Sequence, residues 1–323
     1  MSLRRFAVAS VLLGLLAVPG VWLLSSYRNV ESLRSYAAHA APPAQGPGLR
    51  ATWYGVTAVL LDDGEHRIFI DPFFSRPEGW PRLLANRPIP PDGARIAKGL
   101  RGAGVQRLDA VLVSHSHYDH AMDAGIVARE TGALLLGSAS TANIGRGAGL
   151  SEDRLRVAPH NEAVQIGSFR IRFLESRHAG ATGGRPTGEI DAPLQIPARY
   201  LDYKLGGAWS ILVEHPLGRV LHHGSAGYIP GALKGHEAEV VLLGVALVDD
   251  LPAYLREVVD AVGAKRVMPT HWDDFTRSLD QPLRPFPLTV DLPTFFDHLA
   301  RERSDLSVQT FTLGQPALLF PAH

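Results

Sequence analysis

Cysteine is absent from all 323 residues. Its absence excludes disulfides, a cysteine-linked lipid anchor and any thiolate metal ligand. It leaves the compartment open, because a cysteine-free chain tolerates either redox environment. Net charge is also absent, with 32 Lys and Arg against 32 Asp and Glu. A chain so balanced lacks the basic surface of a general nucleic-acid binder. No internal repeat is visible. What is present is a 46% share of hydrophobic residues, enough for a sizeable core, and 14 histidines. The length allows one large domain or two small ones.

One long run carries no charge at all, residues 6–25 (FAVASVLLGLLAVPGVWLLS), with Arg4 and Arg5 before it and Arg28 after it. Twenty such residues can span a bilayer as a helix, whereas a cleaved signal has a shorter apolar core of about 7–15 residues. The run therefore predicts an uncleaved membrane anchor within residues 1–26. The alternative is a signal segment, ended early by Pro19-Gly20 or cut near Ala38-His39-Ala40. Arg4 and Arg5 favour a cytoplasmic N-terminus. The remainder is then expected outside the cytoplasm, tethered to the cell membrane or, after cleavage, secreted or periplasmic. Residues 27–50, with Pro42-Pro43 and Gly46-Pro47-Gly48, read as a short helix fading into a flexible linker. Residues 51–323 remain for the globular domain.

The chemistry concentrates in Ser114-His115-Ser116-His117-Tyr118-Asp119-His120. This stretch follows Leu108-Asp109-Ala110-Val111-Leu112-Val113, an apolar, β-branched run of strand length, and precedes residues of helical composition from Ala121 to Glu130. Three imidazoles and a carboxylate thus sit at a strand-to-helix turn. On extended backbone His115 and His117 point to the same side, and Asp119 and His120, where the chain turns, face a second point nearby. Imidazole nitrogen and carboxylate oxygen are ligands for zinc and similar divalent ions.

Strands are expected at 51–54, 57–61 and 67–70, the last ended by Asp71-Pro72. Residues 73–103, rich in Pro and Gly, read as a long surface excursion that could line a site. Further strands are expected at 134–137, 154–158 and 169–174, with a helix at 138–146. His178 stands at the end of the third of these strands, before a second Gly- and Pro-rich loop (179–207) with Tyr200 and Tyr203. A hairpin at 209–222 runs into His222-His223-Gly224-Ser225-Ala226-Gly227-Tyr228. A buried strand (238–243), a helix capped by Asp249 or Asp250, and a strand at 265–268 lead to Pro269-Thr270-His271-Trp272-Asp273, so another histidine ends a strand. A late helix (292–303) capped by Asp291 and two short strands close the chain.

In this order, the Asp71 loop, the His115-x-His117-x-Asp119-His120 motif, His178 and His271 resemble the metallo-β-lactamase superfamily over about residues 51–323. Thr52-Trp53-Tyr54-Gly55, Asp71-Pro72-Phe73-Phe74-Ser75 and Pro269-Thr270-His271-Trp272 look most like the branch with ascorbate-6-phosphate lactonase and the N-acyl-phosphatidylethanolamine-hydrolysing phospholipase D. The resemblance implies an α/β fold, a four-layer αββα sandwich of two mixed sheets, here preceded by the N-terminal hydrophobic helix. It implies two divalent metal ions, with Zn favoured and Mn or Fe also suited to N/O ligands. His115, His117 and His178 would hold the first ion and Asp119, His120 and His271 the second, with Asp71 orienting the metal loops. Two departures stand out: Ser225 replaces the family's bridging Asp, and Val56 stands where the branch often has His.

The implied activity is hydrolysis by a metal-bound hydroxide, since zinc lowers the pKa of its water to about 7. Asp119 would orient the nucleophile, and Tyr228 or Tyr118 would donate to the leaving group. The expected substrate is a small molecule or lipid-like compound, cleaved at a phosphodiester or lipid-like ester, with a lactone as the alternative. A competing reading is a degenerate, non-catalytic, membrane-tethered binding protein, which Ser225 keeps open. The sequence carries no signal for oligomeric state.

Overall fold

The computed structural model describes residues 30–77, 79–180, 186–286 and 289–322. The uncharged run at 6–25, and with it the expected N-terminal helix, lies outside the described residues. Among those described, no helix is long and apolar enough to cross a membrane.

Sixteen strands are described: β1 (Gly48–Trp53), β2 (Val59–Asp62), β3 (Arg67–Ile70), β4 (Pro88–Ile89), β5 (Ala110–Leu112), β6 (Leu134–Gly137), β7 (Leu155–Val157), β8 (Ala163–Ile166), β9 (Phe169–Ser176), β10 (Ala198–Arg199), β11 (Ala208–His215), β12 (Gly218–His223), β13 (Val240–Gly244), β14 (Arg266–Thr270), β15 (Ser307–Val308) and β16 (Ala317–Pro321). The helices are α1 (30–37), α2 (Trp80–Leu84), α3 (Gly93–Gly102), α4 (Tyr118–Ala121), α5 (Ala124–Thr131), α6 (Ala139–Gly147), α7 (Leu251–Val258) and α8 (Leu292–Glu302).

Two seven-stranded mixed sheets form the body, ordered β16-β1-β2-β3-β5-β6-β7 and β15-β14-β13-β12-β11-β9-β8. Most of their strands are apolar runs buried on both faces, and a pleated strand sends successive side chains to opposite faces. Leu49, Ala51, Trp53, Leu61 and Ile68 of the first sheet therefore meet Phe169, Ile171, Ile211 and Val241 of the second in one core. The opposite face of the first sheet, with Leu60, Phe69, Val111 and Leu135, packs under Ile96 and Leu100 of α3 and Val127 and Ala128 of α5. α7 and α8 add Tyr254, Leu255, Phe295 and Phe296 to the core that holds the second sheet. The expected sheet-rich α/β architecture is present. β8 escaped the sequence reading because its AVQI run has a single fully buried side chain, Val164, and an exposed Gln165.

Two expected loops are more ordered than their composition implies. The 73–103 excursion contains α2, β4 and α3, and Asp92 caps α3 by accepting from Ala94 and Arg95 N–H. β10 in the second loop pairs antiparallel with β4, so the two excursions form one flap. The expected short helix is present as α1, and the stretch after it, expected as a flexible linker, packs on the body through Ala41 N–H to the Thr310 carbonyl and Ala44 N–H to the Pro316 carbonyl. Tyr36 of α1 lies 4.4 Å from the Trp272 ring, its carbonyl accepts from Thr310 Oγ1, and its hydroxyl accepts from Phe311 N–H. A buried aromatic ring outweighs the Pro- and Gly-rich composition that follows it.

Candidate metal centre

The site lies at one edge of the sandwich, where strand ends deliver their loops: β3 to Asp71, β5 to His115–His120, β9 to His178, β12 to Ser225 and β14 to His271. His117 precedes α4 in extended conformation, and Asp119 and His120 lie in that helix's single turn. Consecutive helical residues diverge by about 100°, so Asp119 and His120 fan out around a point beside the first two histidines.

The six residues expected as ligands gather into two triads, His115–His117–His178 and Asp119–His120–His271, each with its donor atoms within 4.8 Å of one another. In the first triad the rings stand 4.9, 4.9 and 4.7 Å apart and nearly edge-on. His117 Nε2–H donates to the Pro186 carbonyl and His178 Nδ1–H to the Ala179 carbonyl, leaving Nδ1 of His117 and Nε2 of His178 as the lone-pair nitrogens. His115 Nε2 is buried without a hydrogen-bond partner. In the second triad Nε2 of His120 and Nε2 of His271 approach to 3.2 Å, and each lies 3.5 Å from Asp119 Oδ2. A tetrahedral ion with bonds of about 2.0–2.1 Å holds its ligand atoms roughly 3.3–3.4 Å apart. The side chains present therefore fit divalent metal ions. The His115 and His120 rings are 3.8 Å apart, which makes the triads neighbours.

Asp71 is the anchor beneath them. It is wholly buried. Its Oδ1 accepts from Ser114 N–H at 2.7 Å. Its Oδ2 accepts from Ser114 Oγ at 2.6 Å, Thr57 Oγ1 at 2.9 Å and His120 Nδ1 at 2.9 Å. A ligand imidazole fixed in this way presents Nε2 in one tautomer and one orientation.

The electrostatics divide the site. Burial and the surrounding imidazoles push His115 well below the ordinary histidine range, so it is a neutral lone-pair donor. Burial opposes charge on His120 as well, but the carboxylates of Asp119 and Asp71 outweigh it and raise its pKa. A positive charge is thus favoured beside Asp119. Burial would raise the Asp119 pKa, but His120, His271 and His117 reverse that and keep it ionised.

Backbone strain concentrates around the same loops. Val56, Asp71, Arg76 and His271 have φ of 48°, 48°, 43° and 55°, a left-handed region that costs non-glycine residues about 1–3 kcal/mol each and persists only where the surroundings enforce it. Asp123, at the start of α5, accepts from Phe74 N–H, Ser75 N–H and Ser75 Oγ and pins the loop that carries Arg76.

Ser225 reaches the site, where its Oγ accepts from Ala179 N–H at 2.9 Å, next to His178. Tyr228 instead stacks on Tyr254 and is not among the residues lining the adjoining cavity. Tyr118 lines that cavity, with its hydroxyl buried. Val56 is fully buried and holds the His271 loop through its carbonyl. Thr57, Ser114 and the Arg76–Asp273 pair, 2.7 Å apart and wholly buried, were missed by sequence reasoning. Only the placement of Ser114 directly before the histidine motif hinted at any of them.

A family described as a beta-lactamase superfamily domain matches residues 50–271. A UPF0173 metal-dependent hydrolase of Myxococcus xanthus is 28% identical over 246 residues, covering 74% of this chain and 76% of its own. Another, from Chelativorans sp., is 25% identical over 190 residues, covering 56% and 72%. Among solved structures, the metallo hydrolase Igni18 of the archaeon Ignicoccus hospitalis shares the fold with a TM-score of 0.55 at 16% identity, covering 83% of this chain and 97% of that one. The isothiocyanate hydrolase from Delia radicum gut bacteria does so with a TM-score of 0.54 at 16% identity, covering 84% and 100%. The chain belongs to the beta-lactamase superfamily and is a metal-dependent hydrolase of that fold.

Proposed function

We propose that the enzyme binds two divalent ions, one per triad, and hydrolyses an ester bond, phosphodiester or carboxylic, in a lipid-like amphiphile. The observation that carries this reading is the cavity over the triads, about 480 Å³ in volume. His117, Asp119, His178, Ser225 and His271, with Asn86 and Thr289, contribute polar groups, while Leu83, Leu84, Leu201, Leu247, Phe275 and Phe286 supply apolar walls. Such walls favour an apolar substituent near the bond to be cleaved. The motif resemblance to the lactonase and phospholipase D branch supports the same substrate class.

Ions bound at these triads supply Lewis acidity and an activated water. The protein's own contribution is placement. Asp71 fixes His120, Ser225 ties down the segment after His178, and ionised Asp119 faces the cavity and orients a nucleophilic water by accepting its hydrogen bond. The apolar walls exclude competing solvent from the reacting carbonyl or phosphorus. A lactone is the second reading, favoured because no Lys or Arg is among the described residues lining the cavity, which suits a neutral electrophile. The uncharged run at 6–25 is read as a membrane anchor that keeps the enzyme at the surface where amphiphiles reside, with the hydrolase domain outside the cytoplasm.

The test is elemental analysis of wild type and His117→Ala, purified without chelators, followed by activity on phosphodiesters, long-chain esters and lactones. About two equivalents of metal, reduced in the variant, with chelator-sensitive hydrolysis of a long-chain substrate is the expected result. Hydrolysis that persists after metal removal, or a wild type that takes up no metal on reconstitution, overturns the proposal.

A further inference from the structure

Four large apolar side chains are exposed among the described residues: Val30, Leu84, Val157 and Leu201. Two of them belong to one place. Leu84 ends α2 and is 81% exposed, and Leu201, in the 3-10 turn Tyr200–Asp202, is 47% exposed. The β4–β10 ladder joins these segments, the Leu201 N–H donates to Asn86 Oδ1 at 3.1 Å, and both leucines line the mouth of the catalytic cavity. A leucine held in water keeps its apolar surface hydrated, which is unfavourable relative to burial. A solvated pair at the entrance of an apolar cavity therefore marks a surface that something else covers.

The charge on this flap identifies the partner. Over residues 80–89 and 198–204, Arg82, Arg87, Arg199 and Lys204 accompany one carboxylate, Asp202, and the three arginines are exposed, whereas Asp92, Glu189 and Asp191 lie on the flanking segments. Asp202 is engaged locally, accepting from Arg199 N–H at 2.8 Å. A cationic excess on a chain of zero net charge, set around protruding leucines, complements an anionic bilayer: apolar side chains enter the acyl boundary and arginines meet the headgroups. The uncharged run at 6–25, read from the sequence as a membrane anchor, would by itself hold this flap near a lipid surface.

We propose that the flap built from α2, β4, β10 and the 3-10 turn seats on an anionic lipid surface through Leu84 and Leu201, opening the cavity towards the bilayer. The assignment concerns a surface and holds whichever bond the enzyme cleaves.

The cysteine-free chain makes the test direct. Full-length Leu84→Cys, Leu201→Cys and, as a control outside the flap, Val157→Cys are labelled with an environment-sensitive fluorophore. The proteins are reconstituted into phosphatidylcholine vesicles with or without phosphatidylserine, each containing a brominated quencher lipid. Expected are a blue shift and several-fold stronger quenching at positions 84 and 201 than at 157 in the phosphatidylserine vesicles, with most of that difference lost when Arg82→Glu and Arg87→Glu are added. Equal quenching at all three positions means tethering alone and overturns the proposal. Equal quenching with and without phosphatidylserine overturns the anionic-surface assignment. A blue shift that depends on protein concentration without lipid quenching assigns the flap to a second copy of the chain and overturns it as well. Because the readout needs neither bound metal nor turnover, a failure here is separable from a failure of the hydrolase reading.

Discussion

The backbone N–H of His271 donates to the carbonyl of Val56 at 2.6 Å, and both residues are in the left-handed region. The same carbonyl accepts from Trp53 Nε1 at 2.9 Å, while Val56 N–H donates to Asp273 Oδ1 at 2.7 Å. The other oxygen of Asp273 pairs with buried Arg76. A candidate ligand at the end of the second sheet is thus clamped by the β1–β2 turn of the first, and Asp273 and Arg76 close the clamp.

Removing Asp273 should loosen that clamp. Asp273→Ala leaves the Arg76 guanidinium buried and unpaired, and breaking such a pair costs about 3–5 kcal/mol. Asp273→Asn keeps an acceptor for Val56 N–H and should lose less. Urea unfolding gives the stability, and elemental analysis the occupancy. We expect the alanine variant to retain metal at the His115 triad in preference to the His271 triad. Unchanged stability, or undiminished occupancy of both triads, would show that His271 is held by other contacts.

Asp71→Asn tests the anchor beneath the triads. The substitution is nearly isosteric but removes the charge facing His120 Nδ1 and puts a donor where Ser114 N–H, Ser114 Oγ or Thr57 Oγ1 now donates. Losses at residues that orient a metal ligand are typically 10–100-fold in metal affinity. A shift of that size is expected in competition with a fluorescent chelator. Affinity within a factor of about two of wild type, against that 10–100-fold expectation, would mean that His120 is oriented without Asp71.

How far the sequence carries is clear from these residues. His115, His117, Asp119 and His120 were legible because they are contiguous and follow a strand whose apolar run is unmistakable. His178 and His271 were legible as strand-end histidines once their order was set beside a family pattern. Arg76 and Asp273 were not, because their pairing spans nearly two hundred positions and only the apposition of the two sheets creates it. α3 was obscured by its glycines, although Asp92 as cap and the four-residue spacing of Ile96 and Leu100 are present in the text. The Tyr36 anchor was hidden for a similar reason: the Pro and Gly residues that follow suggest a linker, and the ring's partner, Trp272, is distant in sequence.

His223 should leave a pH signature in stability. It is fully buried; its Nε2–H donates to the Gly227 carbonyl at 2.9 Å, and because a carbonyl only accepts, Nδ1 is the acceptor for Ser210 Oγ at 2.7 Å. Burial is the main cause that pushes its pKa down to about 4, against about 6.5 in an unfolded chain. The folded state therefore favours the neutral ring. The stabilisation is complete above about pH 6.5 and is lost as pH falls from there through about 4, a change of about 3 kcal/mol. Stability curves for wild type and His223→Gln should converge as pH drops from 7 to about 4. Parallel curves over that window would exclude His223 as the source.

Ser225 separates the roles of hydrogen bonding and charge at the site. Its Oγ accepts from Ala179 N–H, so Ser225→Ala should cost about 1 kcal/mol and loosen the segment after His178. Ser225→Asp keeps an acceptor and adds a negative charge to a cavity that also presents Asp119, His178 and His271. Among the residues lining that cavity Asp119 supplies the one carboxylate, so a second should favour divalent cations. Chelator titration is expected to show tighter retention of the more weakly held ion in Ser225→Asp, and faster loss of the ion at the His178 triad in Ser225→Ala. If the aspartate variant holds metal no more tightly than wild type, position 225 lies too far from the ions for its charge to matter. Its serine is then explained by the Ala179 hydrogen bond alone.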